Sequence, residues 1–238
     1  MKFSFTKIFK KIFGIILKII LGFFLLTFFS VFIMRWINPI TTSIMIQRKI
    51  EALIEMKSRQ MIAQEWFSYD DISRQMPLAI ITAEDQNFPF HFGFDFKEIE
   101  KSIKQSNHGR RLRGASTITQ QVAKNLFLWE GRSFIRKGLE AYFALLIELL
   151  WSKQRIIEVY MNIVEMGDVI FGVGAASQIY FKNSPNKLTR SQAALLAAVI
   201  PNPTRFSVRN PSRYILRRQN WIIDQMSSLG GTSYLENL

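Results

Sequence analysis

A stretch of 22 residues with a single charge, Phe13–Met34 with Lys18 inside it, dictates the layout of this chain. A bilayer hydrocarbon core takes about 20 apolar residues of helix, so the stretch spans one, and Lys18 sits near enough to its first end to extend its ammonium to the headgroups. Lys2, Lys7, Lys10 and Lys11 precede it and Arg35 follows, which orients the N-terminus toward the cytoplasm and the remainder to the far side. A cleaved signal peptide is the rival. Its apolar region is shorter, about 7–15 residues, and Ser30–Met34 offers no small-residue cleavage pattern. The expected organisation is a basic cytoplasmic segment over 1–12, a transmembrane helix over 13–35, a juxtamembrane region over 36–76 and one folded domain over 77–238.

Charge then narrows the partners. The chain carries a net +13, and removing the first 35 residues takes away six positive charges and no negative one, leaving +7 outside the membrane. A basic extracytoplasmic domain favours anionic lipid or a lipid-linked phosphate, and the topology removes nucleic acid as a ligand. There is no cysteine and there are two histidines, His91 and His108, so neither a thiolate nucleophile nor a clustered zinc site has the residues it needs.

Past the anchor the apolar residues recur at helical spacing, and no stretch alternates at period two for long. Ile46, Ile50, Leu53 and Ile54 mark a juxtamembrane helix. Pro77 opens a short helix to about Phe88, and Phe96, Ile99 and Ile103 share a face of the next. Asn107–Gly114, with Arg110, Arg111 and Arg113, reads as a mobile basic loop. Thr117 and Gln120 form a capping box, and Ile118, Val122 and Leu126 make the buried stripe behind it, leaving Gln120, Gln121, Lys124 and Asn125 on other faces. Arg132–Trp151 starts polar and turns apolar, as a central core helix would. In Lys153–Met166, Ile157, Tyr160, Met161 and Val164 point inward while Glu158, Asn162 and Glu165 share another face. A glycine-rich turn, an alanine-rich helix over 188–199 and a basic amphipathic helix over 211–226 follow, with a Ser-Gly tail expected to fray.

The chemistry concentrates in two places. Glu84 and Asp85 leave an apolar helix for a phenylalanine-rich turn, where lost hydration raises a carboxyl pKa and suits it to general base or acid work. Acidic residues at a helix end are also ordinary solvent contacts, and composition alone weighs the two readings evenly. The capped helix start beside the arginines is suited to a phosphate, against the plainer reading of a structural helix next to a solvated charge run. Glu158 is placed to face Glu84 across a groove, an arrangement that sequence separation neither supports nor prevents.

Taken together, EDQNFPFHFGFD (84–95), GASTITQQVAKNLF (114–127), RSFIRKGLE (132–140) and KQRIIEVYMNIVEMG (153–167) resemble the motifs of the peptidoglycan glycosyltransferases, most closely the monofunctional membrane-anchored members. AALLAAVIPNP and RRQNWIIDQM complete the order. One departure is Gln192, where the family commonly has glutamate. The resemblance implies an all-α, lysozyme-like helical domain with one N-terminal transmembrane helix, and no transpeptidase domain is expected after Leu238. It implies polymerisation of lipid II by inverting β-1,4 glycosyl transfer, with Glu84 as the base and Glu158 as a second catalytic carboxylate. Lys124, Arg132, Arg136 and Lys137 would hold the diphosphate. Asp85, Ser116, Thr117, Gln120, Gln121, Asn125, Glu140 and Asn162 would bind substrate or support the site. No organic cofactor is expected, and a divalent cation, Mg or Mn, near Glu158 is left open. Lipid II, the growing glycan, membrane lipid, and cell-wall synthesis and division proteins are the partners implied, with no nucleic acid.

Two rivals stand beside this reading. A membrane-anchored muramidase would use the same fold and paired carboxylates, but cleaving neutral glycan needs no grip on a diphosphate. A non-catalytic scaffold for wall synthesis would not need Glu84 and Glu158.

Overall fold

The computed structural model describes residues 2–54, 62–107, 116–131 and 133–238. The chain divides into two compact units, Met1–Pro39 and Ile40–Leu238. The first is one helix, α1 (Lys2–Ile33), whose Lys7–Ile33 portion is apolar enough to cross a membrane. At a rise of about 1.5 Å per residue those 27 residues reach about 40 Å, more than the hydrocarbon core of about 30 Å. The rings of Phe9, Phe13, Phe23, Phe24, Phe28, Phe29 and Phe32 are exposed, and the Thr27 and Ser30 hydroxyls donate back to the carbonyls of Phe23 and Leu26, which satisfies both within the helix. The helix begins at Lys2, so the basic segment continues the span as helix.

The second unit runs α2 (Ser43–Ile54), β1 (Ala63–Gln64), α3 (Gln75–Glu84), α4 (Phe96–Asn107), α5 (Ile118–Phe127), α6 (Phe134–Leu150), α7 (Lys153–Ile163), β2 (Glu165–Gly167), β3 (Ile170–Phe171), α8 (Gly172–Phe181), α9 (Arg190–Val199) and α10 (Arg213–Ser228). The all-helical expectation holds for the bulk of the domain. A small sheet in the order β1-β3-β2 is added, with β1 parallel and β2 antiparallel to β3. Strands of two or three residues are too short to leave a period-two pattern.

Apolar on every side, α3 is buried all round: Met76, Leu78, Ala79, Ile80 and Ile81 have no exposure. It lies against α9, α10 and α7. Alanines 193, 194, 197 and 198 on α9 let that helix approach closely. Gln192 serves as the third residue of the α9 capping box, its Oε1 accepting the Thr189 N–H at 3.0 Å, so glutamine fills the position by hydrogen bonding without a charge.

Two expectations are corrected. The apolar half of α6 is not the central core helix: Phe143, Ala144 and Ile147 are buried against the domain, while Leu149 is 68% and Leu145 43% exposed. A helix packed on one side buries one stripe, and the central position belongs to α3 and α7. The Ser-Gly tail does not fray either. It forms a 3-10 helix over Gly231–Asn237, with Leu235 buried and the Tyr234 hydroxyl donating to the Gln86 carbonyl at 2.5 Å.

At the first position of α8, directly after β3, Gly172 adopts φ +77° beside α7, and a Cβ there would lie 2.6 Å from the Asn162 carbonyl oxygen. Gly172→Ala should destabilise the detergent-solubilised protein by about 2–4 kcal/mol in thermal unfolding, combining left-handed strain with a backbone clash. Gly138→Ala, in α6 with nothing within 4 Å of its added Cβ, should be neutral or slightly stabilising. Equal effects at the two positions would refute this account of the turn.

Candidate active site

The site is assembled at the point where α3 ends. Asp85 follows Glu84 and turns its buried carboxylate toward α5: Oδ2 accepts the Ile118 N–H at 3.0 Å, and both oxygens lie 3.0 Å from His91 Nε2. The negative group thus meets free N–H groups at a helix start. Thr117 adds a second tie, its hydroxyl donating to the Gly93 carbonyl at 2.7 Å, and its capping box with Gln120 forms as the sequence indicates. Lys153 secures the other side of the 85–95 loop by donating to the His91 carbonyl at 2.6 Å and to Glu148 Oε1 at 2.8 Å, above the Phe88 ring.

This frame sets Glu84 opposite Gln121. The Gln121 Nε2 donates to Glu84 Oε2 at 2.8 Å, and the Tyr160 hydroxyl donates to Gln121 Oε1 at 2.8 Å. Burial pushes the Glu84 carboxyl above the ordinary range. The Gln121 hydrogen bond and the charges of Arg218 and Lys124 oppose that rise, and Asp85 adds to it. Arg218 comes from α10, where it donates to the Ala83 carbonyl at 2.8 Å and stacks over Trp221.

A cationic cluster adjoins the carboxylate. Lys124, one turn after Gln121 on α5, has its pKa pushed down by burial, with Glu140 and Glu130 acting against that, Arg136 reinforcing it and Glu84 opposing it. It therefore senses Glu84 and Glu140 together. Glu140 is buried and accepts from Arg136 Nη1 at 2.8 Å and from Lys137 Nζ at 2.5 Å. Lys137 also donates to Ser116 Oγ at 3.3 Å. The Arg136 Nε is buried with no hydrogen-bond partner among the described residues. An unmet guanidinium donor in a group of cations is an invitation to an anion.

The expected site residues thus separate. Glu84, Gln121, Lys124, Arg136, Lys137, Glu140 and Ser116 form one continuous network. Asp85, Thr117 and Gln120 hold it up from beneath, and the last two are buried in their cap, so Gln120 does not occupy a free helix face. Asn125 is buried as well. Asn162 has no exposure. Its Oδ1 accepts the Phe67 N–H and its Nδ2 donates to the Phe67 and Glu158 carbonyls, which makes it an anchor for the segment after β1. Glu158 is held on that side too: Oε1 pairs with Arg155, and Oε2 accepts the Tyr69 N–H at 3.3 Å. The leading charges acting on Glu84 are Arg218, Asp85 and Lys124. No three acidic or histidine side chains among the described residues group to hold a metal, and the two Glu158 oxygens are engaged by Arg155 and the Tyr69 N–H. Arg132 and the basic-loop residues 108–115 lie outside the described residues.

Two residues of the site went unassigned in the sequence reading, Arg218 and Tyr160. Arg218 shares a helical stripe with the buried Ile215 and Ile222, and an arginine in an apolar stripe requires a partner, which was the available signal. Tyr160 looked like core, and it is core apart from its hydroxyl.

A desolvated carboxylate beside a cluster of fixed cations is an arrangement able to take up a proton next to a held anionic group. The Transglycosylase family matches residues 50–227, and the chain belongs to that family. It is 53% identical over 196 residues to a biosynthetic peptidoglycan transglycosylase of Escherichia coli (strain K12), covering 82% of this chain and 81% of that one. It is 48% identical over 208 residues to a protein of the same name from Pseudomonas syringae pv. tomato, covering 87% and 88%.

The charges around Glu84 set the direction of its titration. A ¹³C NMR titration of labelled glutamate, with Glu84→Gln assigning the resonance, should place the Glu84 midpoint above that of exposed glutamates. Arg218→Met removes a charge that holds the midpoint down and should raise it further. Arg218→Lys should stay close to wild type, and an unmoved midpoint in Arg218→Met would contradict this electrostatic account.

Proposed function

We infer that this protein polymerises lipid II into linear glycan strands. The observation that carries the reading is the joining of the Glu84–Gln121 pair to the Lys124–Arg136–Lys137 cluster on α5 and α6. The acceptor sugar's 4-hydroxyl attacks the donor's anomeric carbon, the bond from that carbon to the phosphate oxygen breaks, and undecaprenyl diphosphate leaves. Glu84 takes the hydroxyl proton as the new β-1,4 bond forms, and the α-linked donor is inverted in one displacement. Lys124, Arg136 and Lys137 face the leaving diphosphate, where fixed positive charge is worth most as negative charge develops. Arg132 joins them by its place in the motif.

The geometry favours Glu140 over Glu158 as the second carboxylate of the site. Glu140 orients two of the cations and lies within electrostatic reach of Lys124, while Glu158 ties α7 to the Tyr69 backbone. A hydrolase is disfavoured because neutral glycan gives this cluster nothing to hold. In the membrane, α1 crosses once with its lysines in the cytoplasm, which sets the domain on the outer face, where cell-wall synthesis and division proteins would meet it.

Detergent-solubilised protein supplied with labelled lipid II should yield polymer that muramidase digests. Glu84→Gln should lower turnover by about 10²–10⁴-fold. Glu140→Gln should lower it at least about tenfold by releasing Arg136 and Lys137, while Glu158→Gln should act mainly on thermal stability. Polymer from Glu84→Gln at the wild-type rate would overturn the assignment of the base, and shortening of added glycan would indicate the hydrolase.

A further inference from the structure

Tyr160 has no exposure, lies on a core helix, and yet carries a hydroxyl that a phenylalanine of nearly equal size would not have to desolvate. Its partner is Gln121 Oε1 at 2.8 Å, and the same amide places Nε2 2.8 Å from Glu84 Oε2. We propose that Tyr160 is a positioning residue: it fixes which way the Gln121 amide faces, so that Glu84 meets an N–H and not a carbonyl. The inference rests on Glu84 being the base.

The argument is one of hydrogen-bond inventory. An ionised carboxylate can only accept, so Glu84 requires the NH₂ end of Gln121, which leaves the amide oxygen facing α7. A buried carbonyl in that direction needs a donor, and the Tyr160 hydroxyl is one. Burial, together with the nearby charges of Glu84 and Asp85, pushes the phenol well above its ordinary range, so it keeps its proton and stays a donor. Without the hydroxyl the amide loses one of the two contacts that distinguish its ends, and the one that holds the oxygen away from Glu84. Rotated by half a turn, it would turn its oxygen toward Glu84, favour the protonated acid and disable the base. The leading charges acting on Glu84 come from elsewhere, Lys124 on α5, Arg218 on α10 and the adjacent Asp85, while the contact on the Gln121 oxygen is the Tyr160 hydroxyl. Tyr160 touches no reacting atom. Its effect passes through Gln121 alone, which separates it from a residue that merely fills space.

The test is lipid II polymerisation by the full-length protein across pH, comparing wild type, Tyr160→Phe, Gln121→Met and the double variant, with Glu84→Gln as the control. Tyr160→Phe should lower kcat about tenfold, equivalent to one lost buried hydrogen bond, with KM unchanged within about twofold. The acid limb of kcat/KM should move to higher pH. In the Gln121→Met background, where no amide remains to be oriented, Tyr160→Phe should add nothing. An unmoved limb with normal kcat, or the same tenfold loss in the Gln121→Met background, would overturn the proposal in favour of a packing role. If Tyr160→Phe does not fold, 3-fluorotyrosine at position 160 supplies a stronger donor of the same shape. The limb should then move to lower pH, and an unmoved limb overturns the proposal. Wild-type polymer that is lost in Glu84→Gln, alongside an unaffected Tyr160→Phe, would sink this inference while leaving the assignment of the base intact.

Discussion

The buried carboxylate of Asp85 is the contact on which the site depends. It ends α3 and accepts the first N–H of α5, so the C-terminus of one helix is pinned to the N-terminus of another. Everything that acts on Glu84 from α5 follows from that tie: Gln121 and Lys124 lie one and two turns along a helix whose origin Asp85 sets. Such a carboxylate is tolerable in the interior because the helix start and His91 satisfy its oxygens. Replacing it by an apolar residue would leave orphaned N–H groups at the α5 start and free the loop carrying His91 and Gly93.

Around that tie the polar residues divide by depth. Thr117, Gln120 and Asn162 are buried, and they spend their hydrogen bonds on backbone. Ser116, Gln121 and Lys124 keep some exposure and point their groups at one another or at the cations. The division explains why a single dense motif on α5 serves two ends. One face of the helix holds the loop of residues 85–95 in place, and the adjacent face presents Gln121 and Lys124 to Glu84 and the charged groups of α6.

Much of this was legible from the residues. The span, the capping box at Thr117 and the Glu84 end of α3 each follow from a local pattern, because each depends on neighbours within a few positions. Glu84 and the cations of α5 and α6 could be named from motif order. What order could not supply was the pairing between elements. Glu158 and Asn162 share a helix face with the right spacing for a groove, yet that face turns toward the segment after β1, a tertiary choice that no local periodicity encodes. The small sheet was invisible for a related reason, since its strands are two or three residues long and β1 meets β3 only across about a hundred residues of chain. Arg218 shows the reverse case. Its position in the Ile215–Ile222 stripe announced a half-buried charge in need of a partner, and only its partner required the fold.

The electrostatic arrangement also bears on how the proposed base and the proposed anion grip can share so small a space. Glu84 is made more basic by burial and less basic by Lys124 and Arg218. Lys124 is made less basic by burial and more so by Glu84 and Glu140. Each group thus limits the shift of the other. A diphosphate held against Lys124 would occupy part of that positive charge, weakening its restraint on Glu84 and raising the carboxylate's affinity for a proton. The base would then be strongest when the leaving group is in place and weaker when the site is empty. The coupling needs no moving part: it follows from setting Lys124 within reach of both Glu84 and the anion, which is what one turn of α5 between Gln121 and Lys124 provides.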